Sequence, residues 1–225
     1  MKLIQILTFI FFAMAMTFCE AKPEKTFYGI PQEEASLLLL GSVLNYKLED
    51  TGNGTIVDSS LGVEWKKCSQ GQSFRSNQND CQGTISGSDF TPTDQYNYGA
   101  GTYAYCNIAG NDCNTVSLPQ ILLASPSNNA YSDIYNSCEA DTTNNRSDWR
   151  VPTSVELEKL VIGGKVAMIE YFPNTVSNYY WSSVGNEQES SGLTAKAIHF
   201  GEDKFGDVDN INKDNKLYLR CVRNL

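Results

Sequence analysis

The sequence predicts an α+β domain with a mostly antiparallel sheet, a few short helices and a set of disulfides. Three observations carry that expectation. From Asn45 onward, short apolar-rich pieces are separated by Gly, Asn, Asp and Ser, the texture of brief strands joined by turns. Strand-like and helix-like stretches do not alternate as βαβ units, which argues against a parallel sheet. An apolar leader precedes six further cysteines, and an even number in an exported chain reads as disulfides before metal or nucleophile.

The leader decides how those cysteines are read. Lys2 precedes an apolar run, Leu3 to Phe18, that is short for a membrane-spanning helix and at the long end for the core of an export signal. Residues 1–18 read as a lipoprotein signal peptide, with Cys19 the lipidated first residue of the mature chain. Met16-Thr17-Phe18 ahead of it is similar to the loose lipoprotein boxes of spirochaetes. The alternative cut falls after Ala21, with Cys19 and Ala21 at the two small-residue positions, and releases a secreted or periplasmic protein. Either cut leaves Cys68, Cys81, Cys106, Cys113, Cys138 and Cys221 in the fold. In the first reading the protein sits at the bacterial outer membrane or cell surface, and the membrane is a partner through the lipid anchor. The 225-residue chain carries a net charge of −9, so it has no electrostatic case for nucleic acid. With one histidine and no CxxC, a zinc site is not expected.

Residues 19–44 read as a tether and a short helix, Pro31 to Leu40, with Pro31 in its first turn and Glu33 and Glu34 near its positive end. Residues 45–225 are the domain. Thr55 to Val57 and Val63 to Lys66 are strands around the polar turn Asp58-Ser59-Ser60. Ser69 to Tyr105, rich in Gly, Asn, Gln, Ser and Thr, reads as loop. Ser117 to Ala124 and Tyr131 to Ala140 read as short helices. Thr153 three residues ahead of Glu156, followed by Leu157, Leu160 and Val161, is a capping box leading an apolar stripe that Gly163-Gly164 ends. Tyr179 to Val184, Thr194 to Phe200 and Lys216 to Val222 read as strands. In the last, Leu217, Leu219 and Cys221 share one face of a half-buried strand.

Several of these segments together resemble a known family. Asn53-Gly-Thr-Ile-Val-Asp, then Leu61-Gly-Val-Glu-Trp-Lys-Lys-Cys68-Ser-Gln-Gly-Gln, is similar to the opening of the bacterial DUF1566 domain, also called the Lcl C-terminal domain after a Legionella collagen-like adhesin. Cys81-Gln-Gly83, Ser147-Asp-Trp149-Arg-Val-Pro-Thr-Ser-Val-Glu156, Tyr180-Trp181-Ser-Ser183 and Leu219-Arg-Cys221-Val-Arg223 match its later motifs in order. The resemblance implies a C-type-lectin-like or formylglycine-enzyme-like fold whose N- and C-terminal strands lie together. Among the fifteen pairings that six cysteines allow, it favours Cys68–Cys81 and Cys138–Cys221, leaving Cys106–Cys113. The namesake's collagen-like stalk is absent. The paired active-site cysteines of the formylglycine relatives are not carried over.

Functional candidates are few. Trp149 and Trp181 read as core, with Ser182 and Ser183 bonding nearby backbone. His199, on an alternating strand, reads as a packed or surface histidine rather than the base for a serine nucleophile. Tyr96, Tyr98, Tyr103 and Tyr105, with Phe90 nearby, form a candidate ligand surface suited to stacking on sugar rings, or simply fill a loop-rich segment. Asp203, Asp207, Asp209 and Asp214 are weak calcium candidates in a loop, Gly201 to Asn215, that lacks EF-hand spacing and otherwise reads as a solvated hairpin connection. The expectation is a lipid-anchored envelope protein that is not an enzyme and acts as a binding module or adhesin for host matrix protein or glycan. The alternative is a structural or assembly protein facing the periplasm.

Overall fold

A computed structural model describes residues 26–27, 30–31, 47–83, 98–108, 113–115, 120–123 and 130–225. The chain divides into two compact units, Met1–Gly41 and Ser42–Leu225. In the first, β1 (Thr26–Phe27) pairs antiparallel with β2 (Ile30–Pro31). Pro31 therefore lies in a strand and not in the first turn of a helix. The remainder of that expected helix, like Cys19 and the leader, lies outside the described residues.

In the second unit a four-stranded antiparallel sheet is ordered β13 (Val222–Asn224), β5 (Val63–Lys66), β4 (Thr55–Asp58), β3 (Leu48–Asp50). The Asp58 turn forms as expected: its Oδ1 accepts from Ser60 N at 2.9 Å and Leu61 N at 3.2 Å, the local bonding that lets Asp punctuate strands. The last strand thus lies against the domain's first strands, as the resemblance implies. A three-stranded antiparallel sheet is ordered β11 (Val208–Asn212), β10 (Thr194–His199), β9 (Tyr179–Gly185). Its alternation divides the core in two. Tyr180, Ile198 and Phe200 join one cluster with Trp65, Leu157 and Phe172, whereas Trp181, Ala195 and Ala197 join a second with Trp149, Cys106, Cys113, Cys138 and Cys221.

Helix α1 (Asp133–Glu139) matches expectation, with Ser132 as its N-cap. Helix α2 (Ser154–Ile162) opens on the capping box: Glu156 N donates to Thr153 Oγ1 at 3.2 Å and Thr153 N donates to Glu156 Oε2 at 2.7 Å. Gly163 ends it, but Gly164, at φ +80°, restarts the chain as α3 (Gly164–Tyr171). That second helix was hidden because Val166, Ala167, Met168 and Ile169 form a continuous apolar run rather than a stripe. Only Met168 of them is buried, and Val166 is 86% exposed.

Three further expectations are corrected. The stretch Ser69 to Tyr105 is not loop throughout, because β6 (Gln72–Arg75) and β7 (Asp80–Gly83) make an antiparallel hairpin and β8 (Tyr103–Ala104) pairs with β12 (Lys216–Leu217). Of the helix expected over Ser117 to Ala124, the described residues 120–123 are extended, with Leu122 bridged to Asn114. Lys216 to Val222 is no half-buried strand. Tyr218 faces the first core cluster and Leu219 the second, so both faces are buried, and the ladder breaks between β12 and β13. In that break the chain bonds to several neighbours at once: Trp181 N to Tyr218 O at 3.0 Å, Gln70 N to Leu219 O at 2.8 Å and Lys66 N to Cys221 O at 3.0 Å.

The disulfides are Cys68–Cys81, Cys106–Cys113 and Cys138–Cys221, spanning 13, 7 and 83 residues. In the chain-entropy account the long closure contributes about 4–5 kcal/mol and the shortest about 2–3. Replacing Cys138 and Cys221 together by Ala should therefore lower urea-denaturation stability more than the same change at Cys106 and Cys113; equal losses would contradict this.

Glu156 supplies a pH test. Burial alone would raise its pKa, but the Arg150 guanidinium, at 2.7 and 2.9 Å, and the Thr153 N–H and hydroxyl hold it below its ordinary value. The unfolded chain then binds the proton more readily. Stability from this carboxylate is present above its unfolded pKa and is lost as pH falls through its folded one. Glu156→Gln should lower stability at neutral pH and flatten the acid limb of the stability–pH curve; an unchanged acid limb would contradict this.

Candidate functional site

Among the described residues, one groove of about 820 Å³ combines an exposed aromatic ring with several amide and hydroxyl side chains. Three segments far apart in sequence build it: the turn and edge of the β6–β7 hairpin (Gln78, Asn79, Asp80), Tyr98, and the stretch after α3 from Pro173 to Asn178.

Close backbone packing presents Tyr98. Gly83 N donates to Tyr98 O at 2.5 Å, and Gly101 N to Gln70 O at 2.8 Å. A Cβ on Gly99 would stand 2.3 Å from Gly83 Cα, so two glycines let the Tyr98 strap lie directly on the hairpin. The hairpin is itself stapled by Cys68–Cys81. Tyr98 is 41% exposed and holds a left-handed backbone at φ +52°. Asn79 (φ +54°) and Asn174 (φ +57°) do the same, so three of the five non-glycine residues with positive φ among those described line this groove. Backbone strain of this kind persists only where surrounding structure enforces it, and it gathers at ligand sites.

The protein fixes the groove's amides. Asn79 Oδ1 accepts from Lys67 Nζ at 2.5 Å, Asn174 Oδ1 from Cys81 N at 3.0 Å, and Asn178 Oδ1 from Tyr179 N at 2.7 Å. Each oxygen is engaged, which settles the amide orientation and leaves each NH2 group with no bond to another described residue. The wall from Asn174 to Asn178 is held from beneath: Val176 N donates to Tyr180 Oη at 3.0 Å and Arg220 Nη2 to Thr175 Oγ1 at 2.7 Å. Asp80, the groove's one titratable acid, is paired with Arg75, whose hydrogen bonds hold its carboxyl below the ordinary range.

The structure separates the three described tyrosines of the four expected to share a surface. Tyr98 lines the groove. Tyr103 is half-buried on β8, its carbonyl accepting from Trp181 Nε1 at 2.9 Å. Tyr105 is core: it is fully buried, donates to Ser183 O at 2.7 Å, accepts from Asn114 Nδ2 at 2.8 Å and lies edge-on to Trp181, and burial pushes its phenol far above the ordinary value. Tyr96 and Phe90 lie outside the described residues. The four aspartates are likewise dispersed, because β11 occupies part of the expected loop. Asp209, on that strand, accepts from the Tyr179 hydroxyl; Asp203 approaches His199 Nδ1 at 3.9 Å; and Asp207 gives its backbone carbonyl to His199 N. Among the described residues no three His, Cys, Asp or Glu side chains converge as a metal site.

Trp149 and Trp181 are buried as expected, and Ser182 Oγ donates to Lys196 O at 2.8 Å. His199 is packed on Tyr179, with Nδ1 accepting from Gly201 N at 3.1 Å, so serine and histidine are engaged separately. Two further concavities lie among the described residues. One, of about 410 Å³, is mostly apolar and lies among Leu122, Tyr135, Val151 and Val184. The other, of about 580 Å³, is floored by Lys66 bonded to Gln70 and Asp141, where burial pulls the lysine below its ordinary pKa against the pull of Asp141. Of these three, the Tyr98 groove combines an exposed aromatic with fixed donors. Sequence reasoning found Tyr98 and missed Asn79, Asn174 and Asn178; the signal available was the set of glycines at 71, 83, 99 and 101.

With this geometry established, comparison with known proteins adds one result. The sequence model of the Lcl C-terminal domain matches residues 54–223, and the chain belongs to that family. No curated protein sequence matches the chain. No helix among the described residues is long and apolar enough to cross a membrane.

The glycine contact is testable. Gly52 has φ +74° and open space around its Cβ position, while Gly99 has φ +76° and backbone at 2.3 Å. Gly52→Ala reports backbone strain alone. Gly99→Ala should cost about 1–3 kcal/mol more in urea denaturation, the penalty of overpacking; equal costs would show that the strap does not rest on the hairpin.

Proposed function

We propose that this member of the Lcl C-terminal domain family is a non-catalytic binding module of the bacterial cell envelope, displayed at the surface and attached through a lipid on Cys19. Its ligand is host extracellular-matrix protein or glycan, taken in the Tyr98 groove. The observation that carries this reading is the groove itself, where an exposed ring and fixed amide donors are held by disulfide-stapled, closely packed backbone, the preorganisation that recognition requires. The kinship to an adhesin's C-terminal domain supports the same role. The mostly antiparallel architecture, with the last strand in the same sheet as the domain's first strands, fits a lectin-like fold. The separate engagement of Ser182 and His199 supports a non-catalytic role.

The test is solid-phase binding of the oxidised domain to matrix proteins and to an array of glycans. Binding should occur and should weaken about tenfold or more, which is about 1.4 kcal/mol, in Tyr98→Ala. Absence of binding, or binding indifferent to Tyr98, would overturn the reading. Protease treatment of intact cells should digest the domain, whereas protection would favour an assembly role facing the periplasm. The mature N-terminus should be acylated Cys19; an unmodified chain starting at Lys22 would remove the anchor.

A further inference from the structure

We infer that the Tyr98 groove selects uncharged saccharide and binds it without a metal ion, an inference that rests on the binding-module reading above. The donors and the charge of the groove both point to this class. Asn79, Asn174 and Asn178 each spend their amide oxygen inside the protein and present an NH2 group, so the groove offers neutral donors in fixed directions. Neutral donors match the acceptor oxygens of hydroxyl, ring-ether and acetamido groups, and each such bond contributes about 0.5–1.5 kcal/mol. Ser177 and Asn178 are exposed, so the wall nearest solvent is polar, while Tyr98 and Ile169 supply an apolar face for the C–H surface of a sugar ring.

The same residues select against anionic ligands. Among the described residues no Lys, Arg or His lines the groove. The cations bonded to groove residues are already engaged, Lys67 with Asp50 and Asn79, Arg75 with Asp80, and buried Arg220 with Thr175 and the Lys66 and Lys67 carbonyls. A sulfate or carboxylate entering here would give up water for neutral donors alone and would meet the Asp80 carboxylate, and desolvating a charge without a counter-charge is costly. Metal-bridged binding lacks its ligands as well: among the described residues Asp80 is the only acidic one lining the groove, and both of its oxygens accept from Arg75. Sugar hydroxyls therefore have to be read by protein donors directly.

The experiment uses the oxidised mature chain in EDTA at physiological ionic strength, titrated with neutral trisaccharides ending in N-acetylglucosamine, galactose, mannose or glucose, and with a heparin oligosaccharide and matrix proteins as further arms. Binding is followed by NMR shifts of the Asn side-chain NH2 groups. At least one neutral trisaccharide should bind, shift those resonances and bind about tenfold more weakly to Tyr98→Ala, while Tyr98→Phe, which keeps the ring, should stay within about threefold. Heparin should not perturb the groove. If no neutral trisaccharide binds, or if heparin competes at the groove, the saccharide class is overturned. A matrix protein that still binds with Tyr98 dependence would then leave the binding-module reading standing. Failure of every arm would remove both.

Discussion

The fold depends on burying one guanidinium. Arg220 is 1% exposed, and no carboxylate among the described residues forms an ion pair with it. Its Nη1 donates to Lys66 O at 3.1 Å and to Lys67 O, and its Nη2 to Thr175 Oγ1 at 2.7 Å and, more distantly, to Ser69 Oγ at 3.4 Å. The Phe172 ring lies 4.7 Å and the Tyr180 ring 5.9 Å from its central carbon. Removing such an ion from water costs several kcal/mol even after relaxation, and here carbonyl dipoles, hydroxyls and two ring faces offset the loss. Burial pulls its pKa down to about 10, which still leaves it charged at neutral pH.

Because its acceptors come from two pieces of chain far apart in sequence, Lys66 to Ser69 and Thr175, Arg220 works as a positional constraint as well as an interaction. It ties the end of β5, the turn at Ser69 and the segment after α3 to the buried crossing between β12 and β13. Cys221, its neighbour, carries the bridge to α1. On the groove side the same network continues through Ser69 Oγ to Tyr180 Oη at 2.8 Å and on to the Val176 amide. The wall that presents Asn174 and Asn178 is thereby set by a residue that never reaches the surface. A surface-displayed groove needs such backing, since donors on a free loop would lose conformational entropy with each bond they formed.

Much of this was legible in the sequence, for identifiable reasons. The Asp58 turn, the Thr153–Glu156 capping box and the alternation of β9 and β10 are local signals, and local signals survive without tertiary context. Trp149 and Trp181 were recognisable as core. The disulfide pairing followed from the family resemblance. Other elements were not legible because their stabilisation comes from elsewhere. The β6–β7 hairpin is polar along its length and is secured by a disulfide and by glycine contacts with the Tyr98 strap. Helix α3 has no stripe because most of its apolar run faces solvent. Tyr105 reads like its loop neighbours until the structure places it against Trp181. The groove is the extreme case: Asn79 and Asn174 are 95 positions apart, and hydrogen bonds from Cys81 N and Gln72 Nε2 to Asn174 bring their segments together.

The central claim is that buried Arg220 positions the groove, and amide hydrogen exchange in Thr175→Val tests it most directly. This change removes the hydroxyl that Arg220 holds and keeps the side-chain volume nearly constant. The account predicts faster exchange at Val176 N–H and Cys81 N–H, the two amides that fix the groove wall, with exchange at Ile56 and Trp65 in the four-stranded sheet unchanged. Unaltered exchange at Val176 and Cys81 in a folded variant would contradict it, because the wall would then hold its shape without the Arg220–Thr175 bond.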